Sequence, residues 1–318
     1  MANQPNIVFL LGDNVGWGDL SCYGGLVPTP RLDKLASEGI RFTNFNTEAQ
    51  CTPTRGALLS GRMPIGTGTF RVPLPGEPGH YGLSPWEYTL ADLLSDAGYA
   101  TACFGKWHLG NASGRIPTDQ GYDEWWGISE SSDEADYTSH PMYPPEFPRP
   151  KIKASVKGQS IEEVDEFNRE TRPFIDEKIT EKTVEFIRRS TAESKPFFTH
   201  VPFTNVHPPM LPHPDFENAT QSNKTSPSLI IEPVRFLMHL TSWASPTIPS
   251  SFGPATMPPG HCLASRWDRA DSGGAHSAAA GKVPSARQPW SAGPTISRQA
   301  SSQTKSSPPM TGCQPWLR

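Results

Sequence analysis

Asn6-Ile-Val-Phe-Leu-Leu11 runs directly into Gly12-Asp13-Asn14-Val15-Gly16-Trp17-Gly18-Asp19. An unbroken apolar run that stops at a glycine reads as a strand buried on both faces, the habit of parallel sheets. The segments downstream repeat the pattern. Pro30–Glu38 sets Leu32, Leu35 and Ala36 on one helical face, with Thr29 as its cap and Gly39 as its stop. Ile40–Phe45 reads as a half-buried strand with its isoleucine and two phenylalanines inward. Thr89–Ala97 is a helix closed by Gly98, and Tyr99–Phe104 is a strand. Glu162–Ser190 is a charged helical stretch broken near Pro173, and Pro196–Phe203 is a further apolar strand. Strands alternating with helices predict an α/β fold with a mostly parallel central sheet flanked by helices. Such sheets hold their ligands beyond the carboxyl ends of the strands. The residues just beyond Leu11, Phe45, Phe104 and Phe203 are therefore the candidates for chemistry.

After Leu11, the adjacent Asp13 and Asn14 offer hard oxygen donors suited to Ca²⁺ or Mg²⁺. The same residues are also ordinary turn formers. After Phe45 comes Cys51-Thr-Pro-Thr-Arg55-Gly-Ala-Leu-Leu-Ser-Gly-Arg62. Pro53 and Thr54 suit the opening turn of a helix through Ser60, which would put Cys51 at its positive end with Arg55 one turn inside. Cysteine phosphatase chemistry is excluded, because it needs an arginine where Ala57 stands; a buried structural thiol is the plain alternative. After Phe104 comes Gly105-Lys106-Trp107-His108-Leu109-Gly110, where an extended backbone would send Lys106 and His108 to one side. A cation and a titratable ring facing one point suit an anionic substrate and proton transfer. After Phe203, Thr204-Asn205-Val206-His207 supplies a second histidine at a strand end. Singly, each of these is an unremarkable core or surface residue; together they equip four strand ends to grip one anion.

Composition limits the alternatives. The 318 residues carry 28 Lys+Arg against 32 Asp+Glu, a formal charge of -4, without the basic surplus that non-specific nucleic-acid binding requires. Five scattered cysteines, 22, 51, 103, 262 and 313, make a disulfide framework unexpected. The apolar run at Ile7–Leu11 is too short to span a bilayer and has no cationic segment before it, so the reading is a soluble, cytoplasmic protein with neither membrane nor nucleic-acid partner. Charge and composition change sharply near Lys224. Residues 225–318 hold 8 basic and 3 acidic side chains, and Ser, Pro, Gly and Gln make up 40 of the 94. That mixture buries too little apolar surface to offset its chain entropy, and the tail shows no sustained periodicity. Tyr122, Trp125 and Trp126 read as core, with an aryl pocket as their other use.

Cys51-x-Pro-x-Arg55 with its extension through Arg62 resembles the type I sulfatase signature. Gly105–Gly110 resembles that family's second signature, and Asp13-Asn14 its amino-terminal metal motif. The likeness covers roughly residues 5–224. It implies an alkaline-phosphatase-like fold, incomplete on its C-terminal side, with 1–224 as the amino-terminal part of the catalytic domain. It also implies a sulfuric ester hydrolase of the arylsulfatase kind, acting on a small-molecule sulfate ester. Cys51 would be oxidised to formylglycine by a formylglycine-generating (sulfatase-maturing) enzyme, and its hydrated aldehyde would be the nucleophile, held on Ca²⁺ (or Mg²⁺) beside Asp13 and Asn14. Arg55 would hold the modified side chain, Lys106 would pair with sulfate oxygens, His108 would serve the collapse to aldehyde and sulfate, and His207 would protonate the departing alcohol. Asn14 stands where the family more often has Asp, one negative charge fewer. The family's later Asp-Asn pair, its downstream lysine and its smaller C-terminal sheet have no counterpart after Lys224, where Asp268 and Asp271 are followed by Arg269 and Ser272. Translation out of frame beyond about residue 224 is the expectation this raises, and other-frame translation of the encoding DNA checks it by looking for an Asp-Asn-Gly motif. A phosphate or phosphonate monoester hydrolase of the same superfamily, and a non-catalytic remnant, are the other readings.

Overall fold

The computed structural model describes residues 4–73, 81–216 and, as backbone only, 263–267. Its centre is a seven-stranded sheet. The strands are β1 (Ile7–Gly12), β2 (Ala100–Phe104), β3 (Glu124–Ile128), β4 (Lys151–Val156), β5 (Glu162–Glu166), β6 (Phe197–Pro202) and β7 (Leu263–Trp267), in the order β5-β4-β3-β2-β6-β1-β7. The pairings from β3 through β7 are parallel, and β4 and β5 add an antiparallel edge. The helices are α1 (Pro30–Glu38), α2 (Cys51–Ser60), the single turn α3 (Pro64–Thr67), α4 (Leu90–Asp96), the single turn α5 (Glu134–Tyr137) and α6 (Ile175–Ala192).

Side chains alternate across a strand, so each strand feeds two cores. Val8 and Leu10 of β1, Ala100, Ala102 and Phe104 of β2, and Val201 of β6 face one side. There they pack under Leu32 of α1 and under Ile175, Ile179, Phe186 and Ile187 of α6. Phe9, Leu11, Cys103, Trp125 and Phe198 face the other side, against Leu59 of α2 and Ala91 of α4. With helices on both faces, the central strands need no polar alternation, which is why they read as plain apolar runs. Tyr122, Trp125 and Trp126 lie in these cores and not in an aryl pocket. α4 begins with a reciprocal cap: Thr89 Oγ1 accepts from the Asp92 N–H, and Asp92 Oδ2 accepts from the Thr89 N–H.

Two segments depart from their sequence reading. Ile40–Phe45 forms no strand; Ile40 is 82% exposed, and Phe42 and Phe45 face solvent. A strand needs a ladder partner, and both sides of β1 are already taken, by β6 and β7. Glu162–Ser190 is not one broken helix. Glu162–Glu166 is edge strand β5, a 3₁₀ turn comes next at Arg172–Phe174, and α6 begins only at Ile175. The register places Lys151 opposite Glu166 and Lys153 opposite Glu163, so cross-strand charge overrides weak strand propensity and leaves a charged edge. The 225–318 tail lies outside the described residues except for β7, a parallel neighbour of β1 in a stretch expected to be without regular structure.

Candidate active site

Asp13 sits directly after β1 and is fully buried. Its N–H donates to the Asn205 carbonyl at 3.0 Å and its carbonyl accepts from the Val206 N–H at 2.6 Å, so the chains leaving β1 and β6 stay zipped beyond the sheet. Asn14 takes a left-handed backbone, φ 63°. From the next crossing, Gly105 at φ +134° has no room for a Cβ beside the Pro202 carbonyl, which lets β2 run close against β6. The Lys106 N–H then donates to Pro202 and the His108 N–H to Ser129. His108 is itself left-handed, φ 58°. Asn14 and His108 share this left-handed backbone with Ser194, just past the end of α6; for a non-glycine residue it costs of order 1–3 kcal/mol.

The Cys51 helix does not come after a sheet strand as expected; α2 delivers its first turn to the sheet end instead. Cys51 Sγ lies 3.1 Å from His108 Nδ1, and Thr52 Oγ1 donates to the His108 carbonyl at 3.0 Å. Gly56 presses on the buried Thr69 side chain so closely that any Cβ would collide with Thr69 Oγ1. Arg55, one turn inside, donates from Nη1 to the Lys106 carbonyl at 2.6 Å and holds Nη2 3.7 Å from Asp13 Oδ2. Lys106 Nζ donates to the same Asp13 oxygen at 2.7 Å and reaches Ser131 Oγ at 3.5 Å. Asp13, Arg55 and Lys106 thus form one buried ion-paired group, and Cys51 with His108 a second buried contact beside it. The two are linked through the first turn of α2 and the Lys106–His108 backbone. His207 lies at their margin, partly exposed. Its Nδ1 donates to the Pro208 carbonyl at 2.8 Å, because a carbonyl can only accept; Nε2 is left with a lone pair.

Electrostatics tie these groups together. Burial pushes the Asp13 carboxyl up, but the charges of Lys106, Arg55 and His207 outweigh it and hold the group below its ordinary value. Burial drives His108 well below the usual histidine value, with Lys106, Arg55 and His207 acting in the same direction, so its ring is neutral at neutral pH. His207 is lowered as well, first by burial and then by Lys106, with Asp13 opposing. Asp13 Oδ1 and Asn14 Oδ1 are buried oxygens without a hydrogen-bond partner among the described residues, the donor chemistry a hard divalent cation takes. These two fit such an ion, although no cluster of three or more His, Cys, Asp or Glu arranged for metal occurs among the described residues.

The Sulfatase family model matches residues 5–230. The chain belongs to the sulfatase family. Among curated sulfatases, rat arylsulfatase G is 34% identical over 236 residues, which cover 68% of this chain and 44% of that relative. Human arylsulfatase A is 41% identical over 153 residues, covering 46% of this chain and 30% of that protein. The crystal structure of PsFucS1 sulfatase from Pseudoalteromonas sp. superposes with a TM-score of 0.68 at 30% identity, covering 76% of this chain and 52% of that one. The chain therefore spans about half the length, or less, of the sulfatases it matches.

Three contributors to this candidate site escape a sequence reading. Ser131 arrives from the loop after β3, a strand hidden in the short run Glu124-Trp-Trp-Gly-Ile128; paired tryptophans bounded by Gly121 and Ser129 are its signal. Arg172 and Asp176 are buried beneath the Thr204–His207 loop, and nothing in a charged helical stretch singles them out. Cys103 is a fully buried thiol, whereas Cys22 is only half-buried. Cys262 and Cys313 lie outside the described residues.

Proposed function

We propose that this chain carries the nucleophile and oxyanion-binding half of a sulfuric ester hydrolase of the arylsulfatase type. The observation that supports it most is the convergence of Cys51 and His108, 3.1 Å apart, with Arg55 and Lys106 on one buried point at the carboxyl ends of the strands. Cys51, once oxidised to formylglycine by a maturing enzyme, would furnish the hydrated aldehyde that attacks sulfur. Lys106 and Arg55 supply the positive charge that receives the sulfate oxygens, in a site dry enough for that charge to count. His108, neutral and in contact with the side chain of residue 51, is placed to take a proton from it. His207 has its Nε2 lone pair available and, once protonated there, can pass that proton to the departing alcohol. Asp13 and Asn14 would hold Ca²⁺ (or Mg²⁺) through their unpartnered oxygens; when bound, such an ion lowers the cost of negative charge on the sulfate and on its attacker. The substrate is a small-molecule sulfate ester.

The test pairs chemistry with turnover. Peptide mass mapping of protein co-expressed with a formylglycine-generating enzyme should show Cys51 converted, and an aryl sulfate should then be hydrolysed faster than the matching aryl phosphate or phosphonate. A matured Cys51 with no sulfate turnover, or with faster phosphonate turnover, defeats this reading.

A further inference from the structure

Arg172 and Asp176 lie one turn apart where the 3₁₀ turn at Arg172–Phe174 enters α6, and both side chains are sealed from solvent. The hydrogen bonds of both side chains converge on one short loop. Asp176 Oδ1 accepts from the Thr204 N–H at 2.9 Å and from its hydroxyl at 2.8 Å, while Oδ2 accepts from the Asn205 N–H at 3.0 Å. Arg172 Nη2 donates to the Thr204 carbonyl at 3.2 Å, to Asn205 Oδ1 at 2.9 Å and to the His207 carbonyl at 2.9 Å. The same loop holds Asp13 from both sides, through the Asn205 carbonyl and the Val206 N–H. Two buried charges are a poor way to gain stability alone, since apolar residues of similar size generally do as well or better. Directed at the backbone and side chains of one short loop, they specify its conformation.

We infer that Arg172 and Asp176 are positioning residues, a buried clamp that fixes the Thr204–His207 loop and thereby sets His207 and Asp13 relative to each other. The inference rests on the hydrolase reading only for the purpose the clamp serves. Burial raises the Asp176 carboxyl and lowers the Arg172 guanidinium, as a clamp held at a desolvation cost would.

Hydrogen exchange and histidine nitrogen NMR on the full chain test it without turnover. In Asp176→Asn, the Asp13 and Val206 amides should exchange at least about tenfold faster, equivalent to about 1.4 kcal/mol of lost local protection. Amides pairing β2 with β3 should keep their rates, and His207 should lose its Nδ1–H tautomer. Thr204→Val, which removes only the hydroxyl bond to Asp176, should act in the same direction but less, and it decides the matter if Asp176→Asn does not fold. A folded variant with unchanged exchange at Asp13 and Val206 and an unchanged His207 tautomer overturns the clamp. Absence of sulfate ester turnover in the wild-type chain would count against the hydrolase reading and leave the exchange result standing.

Discussion

Asp13→Asn changes one atom type and removes the negative charge that faces Lys106 Nζ at 2.7 Å and Arg55 Nη2 at 3.7 Å, all in a pocket closed to solvent. The backbone bonds of residue 13 to Asn205 and Val206 survive, so the perturbation is electrostatic. Breaking a buried, hydrogen-bonded ion pair by neutralising one partner costs about 3–5 kcal/mol. For a folded unit of roughly 200 residues, 1 kcal/mol is about 2–4 °C in melting temperature, so the variant should melt roughly 6–20 °C lower at pH 7. The pH dependence has a definite sign. The Asp13 carboxyl is held below its unfolded value of 3.8, so its contribution is complete above that value and is lost as the pH falls through the lower folded one. The gap between wild type and variant should therefore narrow below pH 3.8. The proposed calcium site adds a second axis: ion at about a hundredfold over its dissociation constant should raise wild-type stability by about 2.7 kcal/mol, and the amide should gain less. Calorimetry at pH 7 and at acid pH, with calcium and with chelator, measures all of this. A variant melting within about 2 °C of wild type at pH 7 would refute the view that Asp13 anchors the two cations.

Gly56→Ala should cost about 1–3 kcal/mol in urea unfolding, because its new methyl meets Thr69 Oγ1, which is buried and bonded to Thr67; Thr69→Ala in the same background should recover part of the loss. His200 is pushed down to about 3 by burial first and by Arg55 second, so below pH 6.5 the unfolded chain takes up a proton that the fold refuses. Stability should then fall by up to about 1.4 kcal/mol per pH unit on this account between pH 6.5 and 3, and His200→Gln should flatten the slope by that amount. Lys106→Met, in matured protein, should lower kcat for an aryl sulfate by about a hundredfold or more, read by steady-state kinetics, since in the proposed mechanism it removes the charge that receives the oxyanion.

Much of the candidate site was legible because its residues announce themselves locally. Asp13 and Asn14 end an apolar run, Lys106 and His108 end another, and Cys51 and Arg55 share the first turns of a helix signalled by Pro53. α1 falls on Pro30–Glu38, although Thr29 makes no side-chain cap there and instead bonds Ser21 and Asp33. The errors have a common origin. Ile40–Phe45 has the composition of a strand but no partner, and Glu162–Glu166 has a partner but not the composition. A ladder is a relation between two segments, and neither segment alone contains it.

What this sequence determined by itself was local and repetitive: apolar runs, helix starts and stops, and the order in which polar groups come after them. These depend on residues a few positions apart, within reach of steric and hydrophobic preference along the chain. Which groups meet was left to tertiary structure. Cys51 and His108 are 57 residues apart, and Lys106 and Asp13 are 93. Sheet order, the close passage of β2 along β6 and the docking of the first turn of α2 at the sheet end bring such groups within bonding distance, because burial shared between distant segments outweighs what either prefers alone.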